Sequence, residues 1–203
     1  MSVPDRSIDP KILSSAKEEF LMKGYTDVSL RSVCRKAGVT TGALYKRFPG
    51  KESLFAAVVT PTLEAMKSMT ETSGNLDYTQ LEQNDIQIVW DLSEVRLKGF
   101  VEFFYMHYDG LKLLLCCSEG SVYTNFLNEF VADYARHSMK LISAAYKKGI
   151  TSRQIDGDEL HLLLTAFWTA MFEVIIHDFP KTKALQYCEM IAAFFNWSAV
   201  LGF

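Results

Sequence analysis

Residues 30 to 48 read LRSVCRKAGVTTGALYKRF, and their order decides the fold. Leu30, Val33 and Cys34 recur at helical spacing behind Ser29, a residue suited to capping a helix start. Gly38 stands where a left-handed backbone ends a helix at least cost. Thr40 then caps another short helix, which stops before Pro49. The pattern predicts helices over 29–36 and 40–47 joined by Lys36-Ala37-Gly38-Val39, a helix-turn-helix. Val39, Leu44 and Phe48 fall on one side to pack inward, which leaves Thr40, Thr41, Gly42, Ala43, Tyr45, Lys46 and Arg47 outside.

That outer face leads with small residues and ends with an aromatic and cations. A helix whose N-terminal end enters a DNA major groove needs small residues there, so that its backbone comes close to base edges. Threonine adds a hydroxyl for hydrogen bonding and a methyl for contact with a thymine methyl. Tyr45 and Lys46, one turn later, reach flanking phosphates, and Lys51 with the free N–H groups of the next helix makes a second phosphate cradle. Charge is distributed to match. Residues 1–53 hold ten Lys or Arg against six Asp or Glu, in a chain whose net charge is −3. Between Gly24 and Lys51, Arg31, Arg35, Lys36, Lys46, Arg47 and Lys51 face only Asp27. A basic end on an acidic body suits a polyanionic partner at that end.

Around this hairpin the chain reads as helix throughout, with apolar residues recurring at three and four and no alternating β-type run. The first helix is expected to take Asp9 as its N-cap and Pro10 in its first turn, bury Ile12, Leu13, Ala16, Phe20 and Leu21, and stop at Gly24. A fourth runs from Lys51 toward Glu71, with Pro61 predicting a kink or an early stop because it crowds the Ala57 carbonyl. Further helices are expected near 78–92, 94–108, 109–117, 121–148, 157–178 and 182–201. The expectation is an all-α fold of about nine helices, with a DNA-binding domain over 1–53 and a helical domain over 54–203.

Several function classes find no support. The start MSVPDRSIDP lacks the cationic lead and apolar run of a signal peptide, and the apolar stretches 160–172 and 191–203 are short for a bilayer, so a cytoplasmic protein without a membrane partner is expected. Cys34, Cys116, Cys117 and Cys188 show no C-x-x-C spacing and read as buried thiols, with a redox pair at Cys116–Cys117 as the alternative. There is no G-x-S-x-G elbow, phosphate-binding glycine loop or metal triad, hence no enzyme, no cofactor and no metal site is expected. Glu173 and His177, at i and i+4, suit a local ion pair better than a metal site.

Residues 12–59, ILSSAKEEFLMKGYTDVSLRSVCRKAGVTTGALYKRFPGKESLFAAVV, resemble the DNA-binding domain of the tetracycline-repressor (TetR) family. The resemblance lies in Gly24-Tyr25, in Ser29-Leu30-Arg31 opening helix two and in the Ala37-Gly38-Val39 turn. It extends through the Gly42-x-Leu44-Tyr45 recognition helix to Lys51-Glu52 opening helix four. It implies DNA contacts from Thr40, Thr41, Gly42, Ala43, Tyr45, Lys46 and Lys51, assisted by Ser29 and Arg31. Gly50 departs from the family where a Ser-type cap is common, Arg47 where His is common, and Pro61 is unusual. The resemblance also implies a homodimeric repressor on a palindromic DNA operator, released by a small-molecule effector. Control by a protein partner, or by no ligand, is the alternative, and an enzyme using a cavity of the C-terminal domain is the remote one.

Residues 160–176 are apolar on nearly every face and must be covered all round. Leu164, Phe167, Met171, Ile175, Ile191, Phe194 and Phe195 are therefore candidates for a dimer interface. Aromatic density over 99–117 suggests an apolar pocket or plain core, the candidate lining being Trp90, Phe103, Phe104, His107, Tyr108, Tyr123, Phe126, Trp168 and Phe172.

Overall fold

The computed structural model describes residues 9–70, 80–90 and 92–203, and among them every regular element is a helix. There are eleven: α1 (Asp9–Asp27), α2 (Leu30–Ala37), α3 (Thr41–Tyr45), α4 (Lys51–Thr70), α5 (Gln83–Val89), α6 (Glu94–Met106), α7 (Tyr108–Cys116), α8 (Phe126–Lys147), α9 (Gly157–Ile176), α10 (Lys181–Phe194) and α11 (Trp197–Leu201). The all-α expectation holds. The count rises above nine partly because the helix expected over 182–201 breaks at Phe195 and Asn196, where the Asn196 side chain caps α11 by accepting from the Ala199 N–H. Glu71 and residues 78, 79 and 91, parts of two expected helices, lie outside the described residues.

The chain divides into two compact units, Met1–Met66 with His107–Phe126, and Lys67–Met106 with Leu127–Phe203. The domain boundary drawn at 53/54 falls inside α4. In the first unit Ile12, Ala16 and Phe20 of α1 are fully buried with Val33 of α2, Leu44 of α3, and Leu54, Phe55 and Val59 of α4. Phe55 is the hub: its ring meets Phe20 edge-on at 4.9 Å, Tyr25 at 5.3 Å and Tyr123 at 5.9 Å. Such pairs each add about 0.5–1.5 kcal/mol beyond the area they bury.

Three local expectations need correction. Asp9 is itself the first described helical residue, and its carboxylate pairs with Arg47 instead of capping α1. Gly24 is non-helical at φ 74°, as its place at the helix end requires, yet one more turn, Tyr25–Asp27, follows it. Pro61 does not stop α4, which continues to Thr70. Pro61 is exposed, so whatever the ring displaces opens toward water instead of into the core.

Glu19 of α1 is buried among cations, with Lys23 at 2.8 Å and Lys36 at 3.8 Å. The hydrogen bond from Lys23, followed by that of Ser32, holds its carboxyl below the usual value of 4.5 against the opposing effect of burial. A carboxylate whose pKa is lowered by folding stabilises the fold fully above its unfolded value, and that contribution is lost as pH falls through the lowered one. Glu19→Gln is expected to flatten the stability loss below pH 4.5, as measured by urea unfolding between about pH 3 and 7.

In the second unit α10 packs on α6 and α9. An aromatic cluster fills its centre: Phe104 meets Phe172 at 5.0 Å, Phe130 meets Trp168 edge-on at 5.0 Å, and Trp168 stacks on Phe172 at 5.7 Å. Across the unit the Tyr105 hydroxyl donates to the Phe179 carbonyl and Lys181 pairs with Glu102. Over its full length α9 is long and apolar enough to cross a membrane, a correction to the shorter stretch read from sequence. Leu160, Leu164, Phe167, Trp168, Met171, Phe172, Val174 and Ile175 are nevertheless buried in the fold, as in a core helix. Cys34 and Cys188 are buried and burial pushes both thiols up, while Cys116 is exposed and Cys117 half-buried, so the expectation of four buried thiols fails at both of these. Glu173 and His177 form an exposed pair at 2.7 Å.

Candidate nucleic-acid interface

The hairpin is built by its caps. The Ser29 hydroxyl accepts from the Ser32 N–H at 3.1 Å, and Gly38, left-handed at φ 67°, closes α2 with its N–H on the Cys34 carbonyl. Thr40 accepts from the Ala43 N–H at 3.1 Å and so starts α3. A side-chain oxygen on these N–H groups is worth about 1 kcal/mol per cap. Leu44 is fully buried and anchors α3 on the unit's core. With that side fixed, Thr40, Thr41, Gly42, Tyr45 and Lys46 are exposed and Ala43 is half-buried. Tyr45 is 53% exposed, a large ring with half its surface open to water. A Cβ placed on Gly42 meets nothing within 4 Å, so the backbone lies open there. Ser29 and Arg31 are exposed on α2.

The positive charge of this end is narrower than the residue count implies. Lys36 pairs with Glu18 at 2.8 Å, and Arg47 pairs with Asp9 while donating to the Ala43 carbonyl at 3.1 Å. Arg47 thus ties α3 to α1 and leaves the outer face. Arg31, Arg35, Lys46 and Lys51 make no ion pair among the described residues. The Lys51 ammonium donates to the Thr26 carbonyl at 2.8 Å and stands 4.6 Å from the Tyr25 ring centroid, which holds it in place with donor capacity to spare.

Gly50 offers no side-chain oxygen to the free N–H groups at the start of α4, and its own N–H donates to the Ser53 hydroxyl at 3.1 Å. Glu52 was missed in the sequence reading. Its carboxylate accepts from the Tyr25 hydroxyl at 2.7 Å and the Val122 N–H at 3.3 Å, and burial together with that bond pushes the Tyr25 pKa up to about 12. The first turn of α4 therefore carries an anion as well as Lys51, which weakens the attraction for phosphate expected there. An acidic residue in the first turn of a predicted helix, following a Tyr at a helix break, was the available signal.

The pocket residues named from sequence divide between the two units. His107, Tyr108, Tyr123 and Phe126 belong to the first unit, where Tyr123 packs on Phe55. Phe104 and Phe172 are fully buried against one another, with Phe103 beside Phe104 at 6.3 Å. Trp90 lines a cavity of 620 Å³ with Trp197, their rings 4.8 Å apart. Trp168 lines another of 240 Å³ with Arg96 and Phe100 of α6, Tyr134 of α8, Asp85 of α5, and Met69 and Thr70 at the end of α4. Among the dimer candidates, Leu164, Phe167, Met171, Ile175 and Ile191 are buried within their own chain and Phe195 is half-buried; Phe194 alone is exposed, at 81%. The apolar residues that α9 and α10 leave open are Leu162, Met190 and Phe194.

Residues 12–58 match the model of bacterial regulatory proteins of the tetR family. The chain is similar to the uncharacterized HTH-type transcriptional regulator YdgC of Bacillus subtilis (strain 168), 31% identical over 62 residues, which cover 30% of this chain and 32% of that one. It is similar to the HTH-type transcriptional regulator SrpR of Pseudomonas putida, 43% identical over 49 residues, covering 24% and 23%. These matches span a third or less of those relatives. The whole chain takes the fold of MexZ, described as a key repressor responsible for antibiotic resistance in Pseudomonas aeruginosa, with a TM-score of 0.62 at 17% identity over 97% of this chain and 98% of that one. The capped helix-turn-helix thus lies within the residues, 12–58, that match the tetR-family model, and the chain is similar in fold to MexZ.

Proposed function

We propose that this protein is a DNA-binding transcriptional repressor that acts as a homodimer on a palindromic operator and leaves it when a small aromatic molecule enters the 240 Å³ cavity. The observation that carries the reading is the outer face of α3: Thr40, Thr41, Gly42, Ala43, Tyr45 and Lys46 stand free of the core, with small residues at the helix start and Tyr45 and Lys46 one turn on. Base edges meet the first group and phosphates the second, with Lys51, Arg31 and Ser29 gripping beside them. MexZ supports repression as the sign of control. One helix, α4, begins at Lys51 and ends at Met69 and Thr70 in the cavity wall, so a ligand that displaces its end can act on its beginning. Turning nearly all bound into nearly all free takes about 5.5 kcal/mol of differential affinity.

Fluorescence anisotropy with sheared genomic DNA from the source organism, across a salt series, tests the DNA reading. Affinity is expected to fall steeply as salt rises, and Lys51→Ala to reduce the slope of log affinity against log salt by about one. A flat salt response, or equal slopes for the two proteins, would remove Lys51 from the interface.

For the dimer, α9 and α10 provide Leu162, Met190 and Phe194 as the apolar surface a second copy would cover, and the two-fold axis would set the recognition helices about 34 Å apart. Phe194→Asp is expected to shift the sedimentation coefficient from dimer to monomer with little effect on the protomer's helicity, since Phe194 lies in water within its own chain. A dimer that survives this substitution unchanged would place the interface elsewhere.

A further inference from the structure

The 240 Å³ cavity is small beside the roughly 300–1,000 Å³ of drug-sized sites, which limits an occupant to one or two rings. Its aromatic walls meet at Trp168, with Phe100 at 5.6 Å and Tyr134 edge-on at 5.4 Å. The polar groups of the wall decide the rest. Trp168 is buried, and its indole N–H has no hydrogen-bond partner. Arg96 makes no ion pair among the described residues, and its guanidinium stands 5.8 Å from the Phe100 ring centroid. The carboxylate in the wall, Asp85, is already engaged, accepting from the Glu82 N–H at 2.8 Å in the capping box of α5. The Thr70 hydroxyl donates to the Lys67 carbonyl at 3.0 Å. The Trp168 indole N–H is thus a buried donor left unmatched, at a cost of about 1–3 kcal/mol, and the exposed Arg96 guanidinium has no carboxylate partner among the described residues.

We propose that the cavity takes a small aromatic acid, whose ring lies against Trp168, Phe100 and Tyr134 and whose carboxylate is met by Arg96 and the Trp168 N–H. This rests on the reading that a ligand here governs DNA binding, and it gives that ligand its chemistry. The planar guanidinium matches a carboxylate through two parallel hydrogen bonds, and a cationic ring would meet Arg96 as a like charge.

Isothermal titration of the full chain with naphthoate, naphthylmethanol and naphthylmethylammonium separates the charge from the ring. Naphthoate is expected to bind about tenfold or more tighter than the alcohol, with the ammonium weakest. Arg96→Gln, on an exposed residue and checked by an unchanged melting temperature, is expected to bring naphthoate down to the alcohol. Trp168→Phe keeps the ring, deletes the donor and weakens naphthoate severalfold. Equal binding of acid and alcohol, preference for the ammonium, no binding of naphthoate, or indifference to Arg96→Gln would overturn the proposal. Release of labelled DNA, followed in parallel by anisotropy, keeps the two readings apart. If naphthoate binds with the expected preference and DNA stays bound, the acid site stands and ligand control fails. If the alcohol binds and releases DNA as well as naphthoate does, control stands and the acid preference fails.

Discussion

Gly42→Leu is expected to leave the protein folded and to abolish its preference for a specific DNA site. The position accepts a side chain without conflict, since its backbone is helical and a Cβ there finds nothing within 4 Å. Replacing glycine inside a helix also adds up to about 0.5–1 kcal/mol of stability, so the melting temperature should hold or rise. Against DNA the same side chain stands between the backbone and the base edges. With each good base contact worth about 1–3 kcal/mol, losing two lowers specific affinity by about a hundredfold or more. Lys46, Lys51 and Arg31 remain, so non-specific affinity and its salt dependence should persist. Gly42→Ala should fall between. Unchanged specific affinity in Gly42→Leu, read by anisotropy at constant salt, would take the start of α3 out of the groove.

Gly110→Ala is expected to cause the largest loss of stability for the smallest change. Gly110 of α7 is buried against Thr62 of α4, and a Cβ there would lie 1.9 Å from the Thr62 Oγ1 and 2.7 Å from the Thr62 Cβ. Rotating Thr62 removes the first overlap. It leaves the second, because a Cβ moves only with its backbone, so the two helices must separate. Overpacking of this kind costs about 1–3 kcal/mol, which for a chain of this size lowers the melting temperature by about 2–4 °C per kcal/mol. Gly110→Val should cost more. Thr62→Gly made together with Gly110→Ala should recover part of the loss, and a double-mutant cycle with no coupling between the positions would contradict the tight crossing.

The parts legible beforehand were those whose causes are local. Ser29, Gly38 and Thr40 cap their helices through groups within four residues along the chain, so the hairpin could be placed from sequence. Gly50 shows how far such reasoning reaches, since it brings no capping hydroxyl and its own N–H is taken by Ser53, three residues on. The cavity lay beyond it, because its wall joins residues of α4, α5, α6, α8 and α9 that only tertiary packing brings together. The aromatic stretch 99–117 looked like one surface, yet it breaks at His107 and its halves join different units. Five of the seven dimer candidates are buried within their own chain, for another reason. When a helix is apolar on every face, as α9 is, the pattern cannot say which face its own chain covers. Leu164 is 1% exposed and Leu162, two residues away, is 70% exposed. Arg47 and Lys36 were counted as DNA-facing charge, but their partners Asp9, Glu18 and Glu19 lie on α1, out of reach of any local reading.

Incubating the full chain with fragmented genomic DNA from its source, and sequencing what is retained at several salt concentrations, tests whether the start of α3 reads a DNA sequence. An inverted repeat is expected, with half-site centres about one helical turn, roughly 34 Å, apart. Its enrichment should persist as salt removes the non-specific background, and it should vanish for Gly42→Leu. Retention that follows fragment length alone, or the same repeat recovered with Gly42→Leu, would contradict it.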